Sequence, residues 1–480
     1  MAEMDLHKKL VSGFAWEAAC KASAQVFSWI STIYVARVLA PADYGIVAIS
    51  GIFVGLSLML GGLGLCAGVI QKKGVTKAEM DGVFWLSMGL NGLVFGILFC
   101  LAPFIAKWYA IPMLTDVIRV AAFILLISGL SIIPRAIKLK ELDFRFTSLA
   151  GMTGGFIITL TAFLLAWSGY GIWSLVVSTL AGELVLTVIY FYGSSWRPSF
   201  HYSWVEVKPI ARFGVGLMMS RMVQFFNGKT SVIVSGGVLG EVSTGYLQFS
   251  ETLARMPTDK IGGLFQSIAF ASLSKVQDDV ELSKNLLFRF HRYLVFVSYP
   301  ILLGAAFVAE DLILIVLTDK WLPMKTALQL VCCVAAMSVS LLLLPRFLES
   351  IGRVNEVFKF QITLAVMSLI AMLVGAQWHL EGMILALLLV YPLLYIQILK
   401  YVLPRISSSI GEFLKSFIDV ILVNVVFIVS LWCVSILYDE LSPLLRLICA
   451  VASGGLIYGL LIIVFMRADI RALLEIIRKK

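Results

Sequence analysis

Long apolar runs separated by short polar segments dominate this chain, and each run suffices to cross roughly 30 Å of hydrocarbon as a helix of about 20 residues. Fourteen runs are read, beginning near Gly13, Ala42, Val83, Asp116, Ser148, Tyr170, Ile210, Ser243, Tyr293, Thr326, Phe358, Leu380, Phe413 and Ser442. Landmarks recur about 200 residues apart: Leu39, Tyr44, Gly45 and Ser50 fall on Leu239, Thr244, Gly245 and Ser250, and Lys21 falls on Arg221. After small insertions, Lys107-Trp108 meets Lys320-Trp321, and Pro134-Arg135 meets Pro345-Arg346. The pattern predicts an all-α integral membrane protein with about 14 transmembrane helices, in two parallel six-helix lobes (1–203 and 204–409) followed by two C-terminal helices and a basic tail (410–480). Duplicated bundles of this kind hold substrate between their halves.

Composition sharpens the class. Hydrophobic residues make up 60% of the chain and charged residues 14%, whereas about a quarter of an ordinary soluble domain is charged. The charge is also unevenly placed. Basic residues gather at Lys72/Lys73/Lys77, Lys138/Lys140/Arg145, Arg197/Lys208/Arg212, Lys275/Lys284/Arg289/Arg292, Arg353/Lys359 and Lys400/Arg405/Lys415, and at both ends of the chain, while the alternate connections are nearly free of them. Positive charge stays on the cytoplasmic side, so both termini and every even-numbered loop are expected there. Six spans per copy give the second copy the same orientation as the first. The net charge of +9 therefore reports topology rather than nucleic-acid binding.

Lys8-Lys9 ahead of an apolar stretch ending Ala18-Ala19-Cys20 imitates a signal peptide, but Glu17 and Lys21 interrupt its core, so an uncleaved first span is expected. The seven cysteines lie in apolar runs without metal-type spacing and read as small core residues. The four histidines are scattered, and no metal site is indicated. P-loop and nucleophile-elbow patterns are missing, which points to neither an enzyme nor a cofactor.

What remains is charge inside the spans, where ionisable groups are expensive and by default functional. Glu17, Lys21 and Gln25 follow at four-residue spacing along one face of span 1. Arg221 and Lys229 share nearly one face of span 7 about 12 Å apart and read as a cationic surface. Glu251, Arg255 and Asp259 repeat the four-residue spacing in span 8, where Pro257 is expected to interrupt the helix. Glu17 with Lys21, and Glu251 with Arg255, also fit intrahelical ion pairs. Glu183 stands alone in span 6, either coupling transport to protons or hydrogen-bonding a neighbouring helix. Lys107-Trp108 and Lys320-Trp321 read as interfacial anchors, and Pro134-Arg135 and Pro345-Arg346 as helix ends held in the headgroups. The candidate substrate contacts are thus Lys21, Arg221, Lys229 and Arg255, and the candidate coupling or electrostatic residues are Glu17, Glu183, Glu251 and Asp259.

The segment Arg37-Val-Leu-Ala-Pro-Ala-Asp-Tyr-Gly45, then Gly62-Leu-Gly-Leu65 and Val69-Ile-Gln-Lys-Lys73, resembles the start of the polysaccharide transporter family, the Wzx-type flippases of the multidrug/oligosaccharidyl-lipid/polysaccharide superfamily. So do Ser267 to Leu273, Ser274-Lys-Val-Gln-Asp-Asp279, and Lys320-Trp321 with Ile351-Gly-Arg353 downstream. The likeness runs over essentially the whole chain and is greatest to the colanic-acid and teichuronic-acid exporter branch. It implies a flippase in the bacterial cytoplasmic (inner) membrane that moves an undecaprenyl-diphosphate-linked oligosaccharide outward among membrane lipids, with a polysaccharide polymerase and a chain-length regulator as further partners. Family members often carry an acidic residue before the span 7 lysine, where this chain has Asn227-Gly228-Lys229. A small-molecule or drug antiporter of the same superfamily is the alternative, and a membrane scaffold is a third reading.

Overall fold

The structure is a computed structural model that describes residues 27–465 apart from 63 and 439, so Glu17 and Lys21 lie outside the described residues. By internal contacts the chain divides into two compact units, Met1–Gly245 and Tyr246–Lys480. Among the described residues the regular structure is helical, with no strand.

The first unit opens with α1 (27–38), then α2 (Pro41–Gly62), the short α3 (Leu65–Gln71), α4 (Lys77–Tyr109), α5 (Leu114–Ala121), α6 (Phe123–Lys140), α7 (Phe144–Trp167) and α8 (Trp173–Gly193). A long α9 (Trp204–Lys275) follows, broken at Gly240, whose φ of 82° no β-carbon-bearing residue adopts cheaply. The second unit continues with α10 (Val280–Phe307), α11 (Ala309–Val316), a 3-10 turn at Asp319–Met324, α12 (Lys325–Leu341), α13 (Leu343–Ser350), α14 (Val354–Gly375), α15 (His379–Val402), α16 (Ile410–Lys415), α17 (Ile418–Ser435) and α18 (Pro443–Phe465).

Ten stretches of the described residues are long and apolar enough to cross a membrane. One of them, Val354–Ile406, holds both α14 and α15, while α1 and the more polar halves of α9 fall outside the ten. The expected count of fourteen is compatible with this arrangement, the start of the first run near Gly13 lying outside the described residues. The expected break at Pro257 does not occur, because α9 runs on through it. The carbonyl freed by the missing proline amide is that of Leu253, whereas the Thr258 hydroxyl donates to the carbonyls of Ala254 and Arg255, both at 3.2 Å, one turn back from itself. The break within α9 sits at Gly240, at the boundary expected ahead of the run beginning near Ser243 and at the repeat equivalent of the Leu39-Ala40 break between α1 and α2.

Sequence explains the local ends. Thr76 and Glu79 form a reciprocal capping box that starts α4, with the Thr76 hydroxyl accepting from the Glu79 amide and the Glu79 carboxylate from the Thr76 amide. Along α4, Leu93, Ile97, Leu101, Phe104 and Trp108 are all exposed on one stripe, and Phe358, Ile362, Val366, Ile370 and Leu373 repeat the pattern on α14. Exposed apolar stripes at helical spacing on fully hydrogen-bonded helices are surfaces made for lipid. Inside the first unit, Ile49, Leu114, Ile118 and Leu125 are completely buried, and inside the second Leu287, Leu294, Leu344, Leu394 and Phe413 are.

Two readings need correction, one of the anchors and that of the cysteines. Trp108 is 84% exposed at the end of α4, as an interfacial residue would be, but its repeat partner Trp321 is fully buried against Phe249 and Tyr246 and belongs to the core of the second unit. Nor are the cysteines uniformly core residues: Cys332 is buried, while Cys100 and Cys433 are exposed on apolar helices.

Closest of all is the packing of α2 on the second half of α9, within the first unit. A β-carbon on Gly45 would stand 1.8 Å from the Glu241 carbonyl oxygen, and one on Gly245 would stand 1.8 Å from that of Pro41. Residues 41 and 45 meet 241 and 245 reciprocally, as repeat copies do about a two-fold axis.

Candidate functional site

One cavity of about 480 Å³ opens within the first unit, in the size range of small-molecule sites, roughly 300–1,000 Å³. Four local features build it. Helix α2 stops at Gly62 and restarts as α3 after Gly64, which takes the left-handed conformation at φ 64°. No side chain fits there, since a β-carbon on Gly64 would lie 2.4 Å from the Gly214 carbonyl oxygen of α9. Asn91 of α4, 1% exposed, donates to the Gly61 carbonyl at 3.2 Å and to that of Ser87 at 2.9 Å, holding α4 against the break. On α8, Gly182 is buried against Ile158 of α7, and one turn beyond the next residue Thr187 donates to the Ile127 carbonyl of α6 at 3.3 Å. These two contacts fix the rotation of α8 and so the direction of Glu183.

Three charged side chains line this cavity: Arg135 from α6, Glu183 from α8 and Arg221 from α9. Both arginines are exposed and Glu183 is half-buried. No ion pair within 4.0 Å joins any of them to a described residue. Ser128, Ser131 and Asn91 add neutral polar groups, and Leu58, Met59 and Ile132 supply an apolar wall. Such a chamber can hold an anion between two guanidinium groups, which present paired donors suited to phosphate oxygens.

Arg221 is therefore where the sequence pointed, and Glu183 faces the same space. Arg135, read as a headgroup anchor at a helix end, lies within a helix that runs past it and lines the cavity. Pro134 lies buried inside α6, which continues to Lys140, and the arginine turns into the cavity. Its repeat partner differs: Arg346 is bonded to Glu349 at 2.6 Å and to Gln266 at 3.0 Å. Lys229 is partly buried on α9 but is not among the residues lining the cavity. In the second unit Arg255 and Glu251 form the intrahelical pair that their spacing allowed, at 3.5 Å, with Asp259 exposed one turn on. The cue that would have found Arg135 was its alignment with Arg346, since a glutamate follows the second arginine by three residues and none follows the first.

Comparison with known proteins agrees with this architecture. Residues 34–326 match the family model described as polysaccharide biosynthesis protein. The lipopolysaccharide biosynthesis protein WzxC of Escherichia coli (strain K12) is 25% identical over 428 residues, covering 86% of this chain and 85% of that protein. An uncharacterized membrane protein in the cps region of Klebsiella pneumoniae is 24% identical over 464 residues, covering 94% of each. Among solved structures, the lipid II flippase MurJ in an inward closed conformation superposes with a TM-score of 0.77 at 14% identity, covering 94% of this chain and 99% of that one. An inward-facing multidrug resistance MATE family transporter of the MOP superfamily gives 0.63 at 15% identity, covering 80% and 94%. With its family model matched over more than half its length and its helices arranged as in these transporters, the chain belongs to the polysaccharide biosynthesis protein family and is a multi-pass membrane protein of the MOP transporter fold.

Proposed function

We propose that this protein is a flippase that carries undecaprenyl-diphosphate-linked oligosaccharide repeat units from the inner to the outer leaflet of the bacterial cytoplasmic membrane, both termini being cytoplasmic. The observation that carries the reading is the pair Arg135 and Arg221, facing one membrane-embedded cavity without a carboxylate within ion-pair distance among the described residues. A diphosphate crossing hydrocarbon needs its charge met, and leaving two arginines unpaired in such a place is costly without a ligand. The lipid tail stays in the bilayer, and lobes 1–203 and 204–409 rock to alternate access. A polysaccharide polymerase and a chain-length regulator would act on the delivered unit. Lys229 and Arg255, together with Lys21 outside the described residues, are proposed as further contacts along the path, and Glu17, Glu251 and Asp259 as groups that tune their charge. Arg255, already paired to Glu251, contributes less than the free arginines.

The test is the leaflet location of lipid-linked oligosaccharide in the native host, read with a probe that labels only outward-facing glycans. Depletion of the protein is expected to trap single repeat units on the inner face. The intact gene should restore export, while Arg135→Gln/Arg221→Gln, present in the membrane at normal level, should not; Lys229→Gln is expected to weaken export less. Normal outward labelling from the double variant would remove the proposal. Drug resistance conferred on expressing cells would favour the antiporter alternative, which a positive cavity argues against for cationic drugs.

A further inference from the structure

We propose that Glu183 is the resident counter-ion of the cavity and that an anionic ligand displaces its charge, so that the protein takes up one proton as the anion binds. The inference rests on the function proposed above and adds a regulatory role for one side chain of the same site. The three charged groups come from three different helices, so they share the cavity through the fold rather than through one helix face. When the cavity is empty, an ionised Glu183 offsets one of the two arginines. A doubly negative ligand between Arg135 and Arg221 matches both cations by itself. An ionised Glu183 then becomes the uncompensated charge in a low-dielectric chamber, and the proton-bearing form is favoured. Linkage makes the effect reciprocal: a proton on Glu183 tightens the anion, and its loss loosens it.

Among the described residues, the surroundings leave Glu183 as the titrating group. From α6 come Arg135, which acts on Glu183 electrostatically, and Lys138 and Lys140, which are engaged by Glu141 and by the carbonyls of Val69 and Lys72. Arg221 comes from α9, the Cys66 thiol from α3, and Tyr190 from two turns further along α8. Helix α7, packed along α8, has no titratable side chain between Phe146 and Trp167. Helix α5, bearing Asp116 and Arg119, packs at the start of α8 around Ile172 and Val176, about 10 Å up the helix from Glu183. No hydrogen bond from a described residue fixes Glu183 in one protonation state.

The experiment is calorimetric titration of the purified full-length protein with a diphosphate diester that carries a farnesyl chain and one N-acetylglucosamine. A diester lacks the second ionisation that a phosphate monoester shows near pH 6, at about that value, so any proton taken up is taken by the protein. Titrations in two buffers of different ionisation enthalpy should give different heats for the wild type, reporting proton uptake. In Glu183→Gln the buffer dependence should vanish, and at pH 8 binding should be about ten-fold tighter than in the wild type, within the usual range of such couplings. Glu183→Asp should retain the uptake, which separates the role from a folding defect. Binding to the wild type with buffer-independent heat, or uptake that persists in Glu183→Gln, would overturn the counter-ion role and leave the flippase reading standing. Absence of binding, or binding undiminished in Arg135→Gln/Arg221→Gln, would remove both.

Discussion

Gly45→Val is expected to abolish export and to lower the amount of folded protein in the membrane, and Gly245→Val to do the same. The added β-carbon of the first would sit 1.8 Å from the Glu241 carbonyl oxygen and 2.7 Å from its carbon, and that of the second 1.8 Å and 2.6 Å from the same atoms of Pro41. These obstacles are backbone atoms, so no rotamer change relieves them; the helices must separate. Overpacking of a core usually costs about 1–3 kcal/mol where side chains can yield, and here they cannot. Small residues let membrane helices approach this closely, and dispersion between their backbones replaces the hydrophobic drive that lipid does not supply. Even alanine is expected to impair both sites. Gly51→Ala is the control, since it lies on the same helix with open space around its β-carbon position. Yield, thermal unfolding in detergent and outward glycan labelling of the five variants provide the check. Gly45→Val protein with wild-type yield, melting and export would show that the close approach is not needed.

The legible part of the fold was the part governed by solvent. Apolar runs must be helical and long enough to cross lipid, which is why most expected starts fall within a few residues of the observed helices: Ala42 beside Pro41, Leu380 beside His379 and Ser442 beside Pro443. Helix α10 begins at Val280 rather than near Tyr293, because its first turns are polar and hydropathy cannot see a helix that continues beyond the hydrocarbon. A missing amide at Pro257 is the reason to expect a break there, yet α9 runs on through it, since a proline removes one hydrogen bond and leaves the rest of the helical ladder in place. Gly240 falls in the connection expected between spans 7 and 8, where its repeat position and its capacity for positive φ both mark a break. Side-chain direction was the hardest to read. Arg221 and Lys229 share a face on paper, yet only Arg221 lines the cavity, since the chamber, walled by α2, α3, α4, α6 and α8, meets α9 only at Met218 and Arg221. Periodicity gives the face of a helix, and only the neighbours say how far along that face the cavity extends.

Arg446→Ala should destabilise the second unit by about 3 kcal/mol, whereas Arg446→Leu combined with Asp311→Leu should return it close to wild type. Helix α18 is the least buried span, with 11% of its apolar window covered, so few contacts hold it. The Arg446 guanidinium donates to the Asp311 carboxylate of α11 at 2.7 Å, and the Tyr458 hydroxyl donates to the Phe296 carbonyl of α10 at 2.7 Å. A cation in the first turn of α18 opposes the helix dipole, so its presence there is explained by the partner it reaches. Asp311 is 6% exposed. Removing the arginine strands a buried carboxylate, and breaking such a pair costs about 3–5 kcal/mol, at the lower end here because Asp311 sits in the first turn of α11, where the dipole favours it. Asp311→Ala should cost less, since the long Arg446 side chain can extend toward water. With both charges gone and two apolar side chains in place, neither desolvation penalty remains. Thermal unfolding of the purified proteins in detergent orders the variants. A double variant as unstable as Arg446→Ala would mean that the pair supplies more than mutual neutralisation, and unchanged melting of Arg446→Ala would mean that α18 is held by its apolar contacts alone.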